Sequence, residues 1–97
     1  MPVLHIVWIR FGDGVPEERI ERHLGACRGF VGRIPGVLDV TGGASFTARA
    51  GGFTHGLVVT LADRDALPRY LDHPEHRSLL EVLRPDVAEL HAMDLEV

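Results

Sequence analysis

The chain has 97 residues, of which 45% are hydrophobic and 25% charged, as in ordinary globular domains. A chain of this length forms one hydrophobic core, so we expect a single domain over residues 1–97. The net charge of −4 offers no basic surface to nucleic acid, and no apolar run approaches the roughly 20 residues that span a membrane. Nucleic acid and membranes are therefore not expected partners.

Cys27 is the only cysteine, so the chain cannot form an internal disulfide. No basic-then-apolar leader is present at the amino terminus. We therefore expect a cytoplasmic protein.

The first predicted element is a strand over residues 3–11, which are rich in β-branched and aromatic side chains and end at a Gly-Asp-Gly turn. Strand alternation places four side chains on one face, namely His5, Val7, Ile9 and Phe11. The opposite face carries Leu4, Ile6, Trp8 and Arg10. Because both faces are mostly apolar, we expect a central strand that is covered on both sides.

A helix is predicted next, with Pro16 at its first position and two glutamates behind it that favour the helix dipole. Apolar residues recur at helical spacing: Ile20, Leu24, Cys27, Val31 and Ile34. This pattern predicts an amphipathic helix that ends at Pro35-Gly36.

Residues 37–41 alternate as a half-exposed strand does, and Gly42 and Gly43 should interrupt it. The glycine-rich residues 42–52 then predict a loop or an edge hairpin. Residues 53–61 predict a second strong strand, with His55, Leu57, Val59 and Leu61 on one face.

Asp63 is a plausible N-cap for a helix over residues 64–71, which His73-Pro74 should end, and a short helix follows from about 75 to 83. Residues 87–97 alternate as a closing strand. The order β-α-β-β-α-β predicts an α+β, ferredoxin-like fold, a four-stranded antiparallel sheet with helices on one face. Its first and third strands should be central neighbours, which would set His5 and His55 side by side. The other face needs a cover, so we expect a homodimer.

The densest polar cluster of the chain spans residues 69–76, where a phenol, a carboxylate and two imidazoles surround a proline. Such groups at a helix end can handle protons, and histidine is the side chain that titrates near neutral pH. His5 and His55 lie in apolar strands, where a titratable ring is unusual. These features predict a polar pocket.

The same features carry a family resemblance. A histidine in the first strand, the Pro35-Gly36 turn, Gly52-Phe53-Thr54-His55 and the Tyr-x-x-His-Pro-x-His element of residues 70–76 follow one another over nearly the whole chain. In these features the chain resembles the stress-responsive dimeric α/β-barrel (Dabb) family. The resemblance implies a protomer whose sheet packs against that of a partner to form a barrel, with a cavity between each sheet and its helices.

The resemblance also implies site residues. In a plant polyketide cyclase of this family, the residues that match Tyr70 and His76 are the catalytic pair, and those that match His5 and His55 lie in the pocket. Two aromatic residues that shape that pocket correspond here to Leu24 and Cys27.

An aldol closure needs a base near a carbonyl and a donor for the developing oxyanion. We expect His76 to be the base and Tyr70 either to orient it or to donate a hydrogen bond to the enolate. We expect His5, His55 and Asp94 to tune the pocket. Other expected substrate-binding residues are Val7, Leu57, Leu24 and Cys27. The expected protein is thus a cofactor-independent cyclase, lyase or isomerase, or else a module that binds an apolar ligand without changing it, or a stress-linked structural oligomer.

Structural alternatives stand beside these roles. Tyr70 can be a core aromatic residue, and His73-Pro74 only a helix stop. His73 and His76 have the spacing of metal ligands, but no cysteine or carboxylate cluster completes a site, so no metal is expected. Cys27 is more typical of a small core residue than of a nucleophile. His23 and His91 are assigned to the surface or an interface, and Trp8 to the dimer interface.

Overall fold

The computed structural model describes residues 1–97 as a four-stranded antiparallel sheet with helices on one face. The main elements are β1 (Val3–Phe11), α1 (Glu17–Arg28), β2 (Val37–Ala44), β3 (His55–Leu61), α2 (Ala66–Asp72), α3 (Pro74–Leu83) and β4 (Val87–Glu96). The strand order is β2-β3-β1-β4, so β1 and β3 are the central strands. This arrangement confirms the ferredoxin-like fold. None of its helices has the length and apolar character needed to cross a membrane.

The two faces of the sheet differ in burial. Every second residue of β1 and β3 is buried under the helices, beginning with Val3 in β1 and His55 in β3. On the other face of β1, Leu4 and Ile6 are only half-buried and Trp8 is 46% exposed. The predicted faces of both central strands are confirmed. The core lies between the sheet and the helices, and an apolar outer face is left uncovered.

Helix α1 ends at Arg28, well before its predicted end at Pro35-Gly36. Phe30 and Ile34 are still buried, at 3% and 2% exposure, but turns rather than a helix place them there. Gly32 adopts φ +83°, which a right-handed helix does not allow. The periodic apolar pattern thus continues beyond the last helical residue, Arg28, into turns that include the positive φ of Gly32.

Strand β2 continues through the glycines that were expected to interrupt it and reaches Ala44. Gly42 lies opposite Leu57, and a Cβ at this glycine would lie 2.8 Å from the Gly56 carbonyl oxygen and 2.8 Å from Leu57 Cδ1. The glycine is therefore needed for close approach of β2 to β3. The predicted loop is confined to residues 45–54.

The register of the sheet separates the two histidines that were expected to lie side by side. His5 pairs with Val59, whereas His55 pairs with Ile9. Four residues of strand correspond to about 13 Å, so the two rings belong to different parts of the inner face. The expectation of adjacent histidines is wrong because strand order alone does not set register.

Replacing Gly36 by alanine should destabilise the fold more than the same change at Gly32. The two glycines have φ of +88° and +83°, a conformation that costs an alanine about 1–2 kcal/mol. At Gly36 the new Cβ would also lie 2.8 Å from Ala66 Cβ, whereas at Gly32 nothing lies within 4 Å. We expect the free energy of unfolding, measured in urea, to fall by about 1–3 kcal/mol more in Gly36→Ala. Equal losses of unfolding free energy in Gly36→Ala and Gly32→Ala would contradict the steric effect expected at Gly36.

Candidate functional site

A cavity of about 380 Å³ lies between the inner face of the sheet and the helices. Of the 17 residues that line it, 13 are hydrophobic, and the remaining four are His5, His23, His76 and Arg84. No carboxylate lines it. The volume and the few polar groups are typical of a pocket for a small organic ligand.

His76 reaches this cavity from the first turn of α3. Pro74 is the first residue of the helix, and His73 caps it by accepting a hydrogen bond from the Glu75 N–H at 3.1 Å. The His76 ring is 8% exposed, and its Nδ1 donates to the Leu71 carbonyl at 3.0 Å. With the proton on Nδ1, the Nε2 lone pair is free to accept another.

The surroundings of His76 keep its ring neutral. Burial lowers the pKa of His76 below the ordinary 6.5, and the charges of His5 and Arg84 add to this, while the hydrogen bond to Leu71 opposes it. A neutral imidazole with a free nitrogen can act as a general base at neutral pH.

Tyr70 packs beside His76, with 4.5 Å between the ring centres. Its ring is 2% exposed and also contacts His5 and Phe30 at 5.7 and 5.8 Å. The hydroxyl has no hydrogen-bond partner in the chain, and no fully buried polar side-chain atom lacks one, so the hydroxyl opens onto the cavity. Burial, and then the charge of Cys27, raise the pKa of Tyr70, which keeps the hydroxyl protonated as a donor.

His5 completes this group from β1. Its Nδ1 lies 2.6 Å from Asp94 Oδ1 on the neighbouring strand β4, where the two residues are paired in the register. The carboxylate accepts the Nδ1 proton and so fixes the orientation of the ring. Asp94 does not itself line the cavity, so it acts on the site through His5.

The structure brings seven of the nine predicted site residues to the cavity wall: His5, Val7, Leu24, Cys27, Leu57, Tyr70 and His76. His55 is not among them. Its ring packs against Phe11 at 5.2 Å, its Nδ1 lies 2.9 Å from Thr54 Oγ1, and its Nε2 lies 3.9 Å from a Glu17 oxygen. His55 is therefore a hydrogen-bonded imidazole outside the cavity.

His23 is the polar cavity residue that the sequence interpretation missed. It was assigned to the surface or an interface, but it is 4% exposed and lines the cavity. The signal was present, because Ile20, His23, Leu24 and Cys27 have the i, i+3, i+4, i+7 spacing of one helix face. Its partner Asp86 lies 63 residues away in sequence and could not be identified from that pattern.

The structure gives less support to a cysteine nucleophile or a metal site. Burial raises the pKa of Cys27 to about 11, against the effect of Arg28, so the thiol stays protonated and unreactive at neutral pH. No group of three or more potential ligand side chains is placed to hold a metal ion. His91 and Trp8 both lie on the outer face, where Phe53 packs against each ring, at 5.2 and 5.8 Å.

Comparison with known proteins agrees with this architecture. Olivetolic acid cyclase from Cannabis sativa is 29% identical over 86 residues, which are 87% of this chain and 85% of the cyclase. The crystal structure of a dimeric ferredoxin-like protein of unknown function from Thermobifida fusca is 28% identical and superposes with a TM-score of 0.85, covering 100% of this chain and 92% of that protein.

A hydroxynitrile lyase from Passiflora edulis superposes with a TM-score of 0.90 over 99% of this chain and 93% of its own, but at 17% identity it shares the fold alone. The sequence model of the stress responsive A/B barrel domain, Dabb, matches residues 3–97. The chain therefore belongs to the Dabb family.

Proposed function

We propose that this protein binds a small, partly apolar carbonyl compound and transforms it by cofactor-independent acid–base chemistry of the aldol or isomerisation type. The observation that carries the proposal is the pairing of Tyr70 with His76, whose ring centres are 4.5 Å apart at the wall of the cavity. One group is a protonated donor and the other a neutral acceptor, which are complementary roles. The 29% identity to olivetolic acid cyclase supports a cyclisation among these reactions.

In an aldol closure, His76 Nε2 takes a proton from the carbon beside one carbonyl of the substrate. The enolate carbon then forms a bond to a second carbonyl carbon of the same molecule, and the oxygen of that carbonyl becomes an alkoxide. Tyr70 stabilises the alkoxide with a hydrogen bond, and the proton on His76 returns to it, which leaves a hydroxyl. His5, oriented by Asp94 at 2.6 Å, helps to hold the carbonyl oxygens.

The apolar wall determines which substrates fit. Val7 and Leu57 of the sheet face Leu24 and Cys27 of α1 across the cavity. These side chains cover the hydrocarbon part of a ligand, whereas the polar groups bind its oxygens. We therefore expect a ligand with an apolar chain or ring and two or more carbonyl oxygens.

We further propose that the protein is a homodimer through the outer face of the sheet. This face exposes Trp8 (46%), Met93 (59%) and Leu95 (38%), which is unusual for a monomer of this size. A second copy placed on the same face would bury these side chains symmetrically. The 28%-identical protein from Thermobifida fusca is described as dimeric, which supports the proposal.

The proposal can be tested by incubating the protein with poly-β-keto thioesters and following the products by liquid chromatography and mass spectrometry. We expect a cyclised product that forms faster than in buffer. Binding of these compounds without any product would instead assign the protein to the class of non-catalytic ligand carriers. If the protein neither binds these compounds nor forms a product from them, the proposed function is contradicted.

Turnover should decline on the acid side only below pH 6.5. The base must be neutral to accept a proton, and the pKa of His76 lies below its ordinary 6.5 because the ring is buried. Protonation at lower pH therefore removes the base, and kcat/KM should fall tenfold per pH unit below that pKa. Since the pKa of Tyr70 is raised above 10, no alkaline decline is expected from this residue up to that pH. An acid decline centred above pH 6.5 would rule out His76 as the base.

A further inference from the structure

The cavity has a second polar end that the proposed chemistry does not use. His23, on α1, is 4% exposed and lines the cavity. Its ring stacks on Phe11 at 6.1 Å, with only 6° between the ring planes. A buried imidazole in an apolar helix face loses hydration, so its nitrogens need partners.

One nitrogen of His23 has an evident partner. Its Nε2 lies 2.7 Å from Asp86 Oδ2, and Arg19 binds both oxygens of the same carboxylate at 2.8 and 2.9 Å. The hydrogen bonds from His23 and then Arg19 lower the pKa of Asp86, which stays ionised and accepts the Nε2 proton. Arg19 and Asp86 therefore hold the His23 ring in one orientation and one tautomer.

The other nitrogen, Nδ1, has no partner within the chain. Because no fully buried polar side-chain atom in the structure lacks a hydrogen bond, Nδ1 must be accessible. His23 lines both the cavity and a groove between α1 and α3, whereas Asp86 lines only the groove, so the Nε2 edge of the ring points to that groove. The two ring nitrogens point in nearly opposite directions, and Nδ1 therefore faces the cavity.

His23 lies at the opposite end of the cavity from the catalytic pair. Tyr70 contacts His5 near the start of β1, whereas His23 stacks on Phe11 at the end of the same strand. Six residues of β1 separate His5 from Phe11, so His23 and Tyr70 pack against different parts of this strand. Val7 and Ile9 line the cavity between the two ends. A ligand that lies along β1 would thus have its reacting carbonyl at one end and His23 at the other.

We propose that His23 is a specificity-determining residue whose Nδ1 accepts a hydrogen bond from a hydroxyl group at the far end of the substrate. The substrate class is then a hydroxylated ketone or polyketone, with a phenolic or enolic hydroxyl remote from the reacting carbonyl. A hydroxyl fits because it is a donor that carries no charge, and the Asp86 charge is already balanced by Arg19. This inference rests on the proposed function, since it assumes that the substrate carbonyl occupies the Tyr70–His76 end.

Two ketones that differ in one hydroxyl test the proposal: 6-(4-hydroxyphenyl)hexan-2-one and 6-phenylhexan-2-one. Their affinities for the wild-type protein and for His23→Phe are measured by titration calorimetry. We expect the wild-type protein to bind the hydroxylated ketone about tenfold more tightly, which is the effect of one buried hydrogen bond. In His23→Phe this preference for the hydroxylated ketone over the phenyl ketone should disappear.

A spectroscopic measurement on the wild-type protein tests the proposal even if His23→Phe does not fold. With ¹⁵N-labelled histidine, the Nδ1 resonance of His23 should shift when the hydroxylated ketone binds and stay in place with the phenyl ketone. Equal affinities in the wild-type protein, an unmoved Nδ1 resonance, or a preference that survives in His23→Phe would each overturn the proposal. These three outcomes concern binding alone. If the proposed catalysis fails instead, the wild-type protein should still prefer the hydroxylated ketone but should not turn over any substrate.

Discussion

Replacing His76 with glutamine should lower kcat/KM for poly-β-keto thioesters by about 10²–10⁴-fold, which is the range for loss of a general base. Glutamine has nearly the volume of histidine and its amide can still donate to the Leu71 carbonyl, the partner of His76 at 3.0 Å. It has no basic nitrogen, so the proton transfer is lost while the packing is retained. The loss is measured by product formation under steady-state conditions, after a check of folding by circular dichroism.

His73→Asn is the matched control for this substitution. His73 lies three residues before His76 and serves as the helix cap for the Glu75 N–H, a role that asparagine also performs well. Its turnover should stay near that of the wild-type protein. If His76→Gln were correctly folded and as active as His73→Asn, the assignment of His76 as the base would have to be abandoned.

The double substitution Trp8→Asp, Met93→Asp should convert the protein from a dimer to a monomer. Trp8 is 46% and Met93 59% exposed on the outer face of the sheet, where a partner would bury them. Two carboxylates buried without partners, together with the loss of a large aromatic contact, should raise the dimer dissociation constant by more than about 100-fold. Sedimentation equilibrium should give twice the chain mass of 10.7 kDa for the wild-type protein and the single mass for the variant.

Val31→Asp is the control for added charge at an exposed apolar position. Val31 is 45% exposed, close to the value for Trp8, but it lies in the turns after α1 rather than on the sheet. Its variant should remain dimeric. A wild-type protein that sediments at 10.7 kDa at micromolar concentration would show that the outer face is not a self-association surface.

Much of the fold could be predicted because the apolar spacing of the strands is regular. The alternation in β1 and β3 correctly assigned the inner and outer faces, and the chain order of the elements indicated the sheet topology. The end of α1 could not be predicted in the same way. Buried Phe30 and Ile34 continue the apolar pattern, although local turns at Gly29 and Gly32 place them in the core. Apolar residues at helical spacing indicate which side chains are buried, but a buried side chain can also lie in a turn.

The contact between two polar rings at the cavity wall was also predictable. Tyr70 and His76 lie within one short segment, so their proximity follows from local structure. The separation of His5 from His55 depends on the register of β1 against β3, which no local pattern reveals. The pairing of His23 with Asp86 depends on how α1 packs beside the turn before β4, and that packing is a property of the whole fold.

The placement of Leu90 has a further consequence for how ligands reach the protein interior. Leu90 lines the cavity from β4, yet it is 43% exposed, and its neighbour on the same face, Ala92, is exposed as well. The helices therefore leave the cavity open to solvent along this edge strand, on the inner face of the sheet. Under the proposed function, this opening provides a route by which a small ligand reaches the cavity without movement of any helix.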